Sequence, residues 1–256
     1  MDARISRRLV AACLLVVSIA SAQSSRRRSA AQVETDRLTV TYSPSDLEPN
    51  AATAFLTLAN EGLTHIESAL KLEYTGEKIQ FRVSRRVRIS NAYGSRINLP
   101  LTRVQQRSAP YLHETTHIVM QQYSRGYQPP TWLNEGFASY MESYIADEFG
   151  GYDAQVFTRD GNRSVDAEAR EHLETSYGRE AEPYIGRSGE PPGLARDRER
   201  VAPPFYVLSQ SFVKFLVAAL GLEFVKNMHR GGDHLEKPKV WLIDEWKVEW
   251  LRSLRQ

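Results

Sequence analysis

The stretch "YLHETTHIVM", residues 111–120, sets two histidines four positions apart, with a glutamate directly after the first. On a helix, residues i and i+4 share a face about one turn apart. His113 and His117 can then offer two ring nitrogens to one ion, filling two corners of a tetrahedral zinc site. Leu112, Thr116, Ile118 and Val119 supply the side of such a helix that faces a core. A catalytic zinc takes a third protein ligand and keeps one position open. Glu135, eighteen positions after His117, is the candidate. Gly126 and Pro129-Pro130 end the first helix, and "TWLNEGFASYMESYIADEF" (131–149) reads as a second helix, with Thr131 as its N-cap, that packs back on the first. Glu114 projects about 100° round the helix from His113, so it borders the open position. There it can take a proton from water and pass it to a leaving amine. A short H-E-x-x-H pattern also arises by chance among ordinary helix residues. Its weight here comes from the second stretch lying within reach.

Outward from this pair, the N-terminal part reads as strand, helix, strands. "RLTVTYS" alternates Leu38, Val40 and Tyr42. Pro49-Asn50 opens a helix with Phe55, Leu56, Leu58, Ala59, Leu63 and Ile66 on its apolar stripe, and Gly62 as a weak point. "KIQFRVS" follows, with Ile79, Phe81 and Val83 on one face; Val87 and Ile89 suggest a continuation or a partner strand. "SRINLPL" reads as a short strand confined to a sheet edge by Pro100. Residues 150–203 are rich in Gly, Pro and charge and poor in aliphatics, so an irregular surface excursion beside the site is expected, with one short helix near "DAEAREHLETS". Helical order returns at "FYVLSQSFVKFLVAAL" and ends in "KVWLIDEWKVEWLRSL", where Trp241, Trp246 and Trp250 are expected in the core.

"HETTH" followed by "WLNEGFASYME" resembles the gluzincin metallopeptidases. The second stretch is very similar to the aminopeptidase N family, and the chain from 36 to 256 resembles the small exported peptidase MA-like proteins. The resemblance implies an α+β zincin domain, with a small strand-rich upper part, a helical lower part and the site between them. It implies that His113, His117 and Glu135 bind Zn2+ and that Glu114 is the general base and acid. "FYVLSQSFVKFL" looks like the segment in which aminopeptidase N relatives carry an oxyanion-donating tyrosine, which here is Tyr206. In that family the interval from second histidine to glutamate is one residue longer. A "GxMEN"-like stretch, which grips a free substrate N-terminus, has no counterpart here: "SNAYGSRINLPL" occupies that region. "SRINLPL" is left as the edge strand against which an extended peptide would lie.

The remaining histidines read as bystanders. His229 and His234 in "MHRGGDH" fit a surface turn better than a second metal site, and His65 and His172 have no partners at ligand spacing. Glu142 and Ser139 fall near the face of Glu135, as possible supports for a ligand. The sequon Asn162-Arg163-Ser164 matters only in a glycosylating host.

The N-terminus carries a separate message. Arg4, Arg7 and Arg8 precede an apolar run from Leu9 to Ala20, and Ala20-Ser21-Ala22 follows. This is the layout of a secretory signal at 1–22. Residues 23–35 read as a flexible linker. Cys13 is the only cysteine and lies inside the signal, so disulfides and thiolate metal sites are excluded from a mature chain starting at Gln23. With 33 basic and 31 acidic residues, nothing points to nucleic acid as a partner. No second apolar stretch reads as a membrane span. The expectation is an exported bacterial enzyme acting on peptide or protein substrates. The alternative is a non-catalytic zinc- or peptide-binding envelope protein of the same descent, and a third is a structural envelope protein whose histidines are incidental.

Overall fold

The computed structural model describes residues 30–124, 126–149, 160–231 and 242–256. The signal segment, Trp241 and His234 lie outside the described residues. The fold is α+β: one five-stranded mixed sheet followed by helices. The strands are β1 (Ala31–Glu34), β2 (Leu38–Tyr42), β3 (Ile79–Ser84), β4 (Asn91–Tyr93) and β5 (Arg96–Pro100), in the order β1-β2-β3-β5-β4. β2, β3 and β5 run parallel, and β1 and β4 are antiparallel at the two edges.

Parallel neighbours need a long crossover, and helix α1 (Pro49–Leu70) supplies it between β2 and β3. Its buried residues Ala52, Phe55, Leu56, Ala59, Leu63, Ile66 and Leu70 recur at three- and four-residue steps, and Gly62 is buried among them without breaking the helix. Ile79, Phe81 and Val83 of β3, with Ile97 and Leu99 of β5, make the opposing layer. Phe55 stands edge-on to Phe81 of the sheet, with ring centroids 5.5 Å apart, and to Tyr111 at 5.4 Å. Tyr111 opens the helix that carries the two histidines. One side chain thus joins the sheet, the crossover helix and the site.

Three expectations about the strands change. β1 lies inside the stretch expected to be linker, where its polar sequence hid a ladder with β2 that pairs Ala31 with Tyr42 and Glu34 with Thr39. β5 is not the edge. Pro100 is its last residue, and β4 pairs only with Arg96, Ile97 and Asn98, so the missing N–H interrupts nothing on that side. The edge strand is β4. Val87 and Ile89 do not extend β3; Ile89 is 54% exposed.

The helical part begins with α2 (Leu101–Gln105), α3 (Tyr111–Tyr123) and α4 (Thr131–Phe149). Thr131 is the first helical residue rather than a cap, and its hydroxyl donates to Glu190. Then come α5 (Val165–Leu173), α6 (Ser176–Ala181), α7 (Pro192–Arg196), α8 (Arg198–Leu220), α9 (Leu222–His229) and α10 (Ile243–Ser253). α8 is long and apolar enough to cross a membrane, contrary to the sequence expectation, yet 72% of its apolar window is buried within the fold, as in a core helix.

Residues 160–203 are not the irregular excursion expected from their composition. Val165, Ala169, Ala181 and Ile185 are fully buried, and α5 and α6 pack on α8. The apolar stripe is narrow and made of small residues, so it barely registers as composition. Charge fixes the same layer: Lys214 and Ser211 of α8 both reach the Asp166 carboxylate, and Lys247 of α10 reaches Glu182 at 2.7 Å. At the end of the fold, Trp250 packs on Phe212 with centroids 5.1 Å apart and donates its indole N–H to Ser211. Phe212 in turn packs on Trp132 of α4 at 5.2 Å.

Two tests follow from this packing. Phe55→Ala removes the ring shared by three elements and is expected to cost about 3–5 kcal/mol in urea unfolding. Limited proteolysis should spare residues 160–203 as long as it spares α3; early cleavage between α5 and α7 would show that this layer is not packed.

Candidate metal centre

The site assembles from two helices. α3 presents His113 and His117, and α4 packs across it with Glu135 in its first turns. The two Nε2 atoms are 3.0 Å apart. Glu135 Oε2 lies 3.1 Å from Nε2 of His113 and 3.6 Å from Nε2 of His117. Donors each about 2.0–2.1 Å from a tetrahedral zinc would be roughly 3.3 Å apart. The observed spacings bracket that value, so the three residues fit a metal ion, and all three candidate donor atoms lie within 4.8 Å of one another.

Both imidazoles present Nε2 to the centre, so each must be held through Nδ1. The Nδ1 of His113 is 3.3 Å from the Ser139 hydroxyl, and that of His117 is 3.2 Å from Asn134 Oδ1. Asn134, Glu135 and Ser139 all belong to α4. One helix therefore provides the carboxylate and both groups that orient the histidines, an arrangement that fixes tautomer and ring direction. Ser139 thus holds the supporting place that its position one turn beyond Glu135 suggested.

His229 departs from expectation. It is 3% exposed rather than on a surface turn, and its Nε2 lies 3.0 Å from the same Asn134 Oδ1. Burial, and next the neighbouring His117, push its pKa down to about 3. A neutral ring donating from Nε2 shares Asn134 Oδ1 with His117 and holds that amide in place. Sequence reading missed this residue because its contact spans 95 positions. Glu142, the other suggested support, bonds to neither histidine nor Glu135. Its buried Oε1 has no hydrogen-bond partner, and burial, then Glu114, raise its pKa well above the usual carboxylate value, which favours the protonated form. His65 stacks on Phe149 with ring centroids 3.7 Å apart, away from the centre.

The closeness of α4 to α8 depends on Gly136. A Cβ there would sit 2.6 Å from the backbone oxygen of Ser209, so only glycine permits the contact. Three residues before Ser209, Tyr206 is held over the site: its ring is 6.4 Å from that of His113, and its hydroxyl accepts from Arg198 at 3.2 Å. Burial, followed by the charge of Glu135, raises its pKa, so the phenol keeps its proton.

Glu114 is 6% exposed beside the histidines. Burial raises its pKa, although the two histidines work against this. Glu135 behaves oppositely: burial alone would raise it, but the pull of His117 and His113 outweighs burial and holds it ionised. The two carboxylates therefore differ in proton affinity. All five expected residues, His113, Glu114, His117, Glu135 and Tyr206, line a single cleft of about 540 Å³ that also reaches β4 at Asn91 and Ala92. No known family model, curated protein or solved structure matches this chain.

His113→Ala or His117→Ala is expected to abolish metal retention in the purified protein, measured by elemental analysis. Asn134→Ala and Ser139→Ala should weaken metal affinity about 10–100-fold, read by competition with a chromophoric chelator. Unchanged affinity in both would remove the orienting role assigned to α4.

Proposed function

We propose that this chain is an exported, zinc-dependent peptidase of gluzincin type. The observation that carries the reading is the convergence of His113, His117 and Glu135 on one point of an open cleft, with Glu114 buried beside them but outside the donor set. When bound, zinc would supply Lewis acidity toward a peptide carbonyl and lower the pKa of a water.

The chain's own residues do the rest. Glu114, with its raised proton affinity, takes a proton from water and returns it to the leaving amine. Glu135 stays ionised and is suited to ligation rather than proton transfer. Tyr206 keeps its hydroxyl proton and faces the same cleft, which suits donation to an oxyanion. β4 has no strand on its outer side among the described residues, and Asn91 and Ala92 line the cleft, so its backbone is free to pair with an extended peptide. This transfers to β4 the docking role expected of "SRINLPL". Export rests on the arginine-then-apolar layout of residues 1–22.

The test is digestion of a peptide library by the purified protein, with and without a chelator. Cleavage should require metal. Glu114→Gln should retain metal and lose about 10²–10⁴-fold in kcat/KM. Metal retention with no cleavage by the wild type would favour the binding-protein alternative, and an active Gln variant would remove Glu114 as the base.

A further inference from the structure

We propose that the cleft selects peptides bearing a carboxylate on the β4 side of the scissile bond, captured by Arg88 and Arg103. The proposal rests on the peptidase reading above and names its substrate class. Residues 82–107 contain seven arginines and no Asp or Glu. The whole chain is only +2, so the remainder is net acidic and positive charge is concentrated in this one stretch. It forms β4, β5, α2 and their connections, which is the wall of the cleft facing the metal centre.

The arginines divide by position. Arg82 and Arg96 alternate with buried residues and so lie on the solvent face of the sheet. Arg85 is paired with Asp46 at 3.2 Å. Arg88, just before β4, and Arg103, on α2, line the cleft itself. Neither makes an ion pair among the described residues. The acidic residues lining the same cleft are Glu114, Glu135 and Glu199. Glu114 is buried, Glu135 is partly buried and belongs to the donor set, and Glu199 lies in the first turn of α8. A substrate entering along β4 therefore meets two guanidinium groups that are not held in ion pairs among the described residues; Arg103 feels the buried Glu142, which keeps its proton more tightly than usual.

A guanidinium binds a carboxylate through two parallel N–H donors, and nothing else in an ordinary peptide offers that match. The remaining arginines of the stretch add a long-range field that draws anionic peptides toward the cleft and is screened by salt. The carboxylate can belong to an Asp or Glu side chain or to the peptide's C-terminus. The chemistry is shared, and the experiment separates the two sources.

Three decapeptides of otherwise identical sequence are compared: neutral with an amidated C-terminus, neutral with a free C-terminus, and Asp/Glu-containing with an amidated C-terminus. At low ionic strength, at least one carboxylate-bearing peptide should be cleaved with a kcat/KM about tenfold above the neutral amide, and the advantage should shrink as salt is added. Which peptide gains identifies the source. Arg88→Ala and Arg103→Ala should each lower the ratio of carboxylate-bearing to neutral cleavage about fivefold, as expected for exposed charge pairs, and Arg88→Glu should lower it further. Equal cleavage of all three peptides, or a ratio unchanged in both alanine variants, overturns the proposal.

If no peptide is cleaved, the peptidase reading fails on its own account. The arginines are then judged by fluorescence anisotropy of the same labelled peptides on the Glu114→Gln protein. Tighter binding of a carboxylate-bearing peptide, weakened by the alanine substitutions, supports capture; equal binding overturns it. Binding to phosphatidylglycerol vesicles without discrimination among the peptides also overturns it, since the arginine wall would then serve an anionic surface.

Discussion

The backbone of α8 occupies the space that any side chain at position 136 would need. That single exclusion governs how the centre is built. With Gly136 in contact with Ser209, α4 lies flush on α8, and the residues on either side of Gly136 have fixed directions. Asn134, Glu135 and Ser139 then reach α3, while Tyr206 hangs from α8 over the same point. The histidines thus do not define the centre alone. They are held at Nδ1 by one helix, which faces them because a second helix is close behind it. A bulkier residue at 136 would leave all the donors in the chain and displace them from one another.

The polar groups around the centre are few and unequal in cost. Burial works against ionisation of Glu135, but the adjacent His117 and His113 outweigh it and lower its proton affinity. Glu114 and Glu142 lack such compensation and hold protons more tightly. Two buried carboxylates with raised proton affinity beside one held ionised is an expensive arrangement for a small core. It is supported by the rigid layer of Phe55, Phe81 and Tyr111 on one side and of Trp132, Phe212 and Trp250 on the other.

Much of this was legible in the sequence, for identifiable reasons. The spacing of His113 and His117 is a local geometric fact, and the α1 stripe and the alternation in β3 follow regular periods. Glu135 was within reach because a Gly-Pro-rich loop lies between two periodic helices. Other features were not legible because they depend on distant partners. His229 meets Asn134 from 95 residues away. β1 is polar and becomes a strand only through its ladder with β2. Pro100 suggested an edge, but its neighbour β4 is too short to need the missing donor. In residues 160–203, a few valines and alanines at four-residue steps make a packed layer that composition averages away.

The ring contacts from Trp250 through Phe212 to Trp132 also carry an ordering in time. Trp132 precedes Glu135 by three residues, whereas Trp250 follows it by 115. A chain made or threaded from its N-terminus presents both histidines and the carboxylate long before the aromatic stack that braces the start of α4 is complete. Until α10 docks, Phe212 packs on Trp132 without the ring of Trp250 behind it. The last helix to arrive thus closes the packing behind α4 and α8. An incomplete chain would carry every donor of the centre while the aromatic stack behind α4 still lacked its last ring.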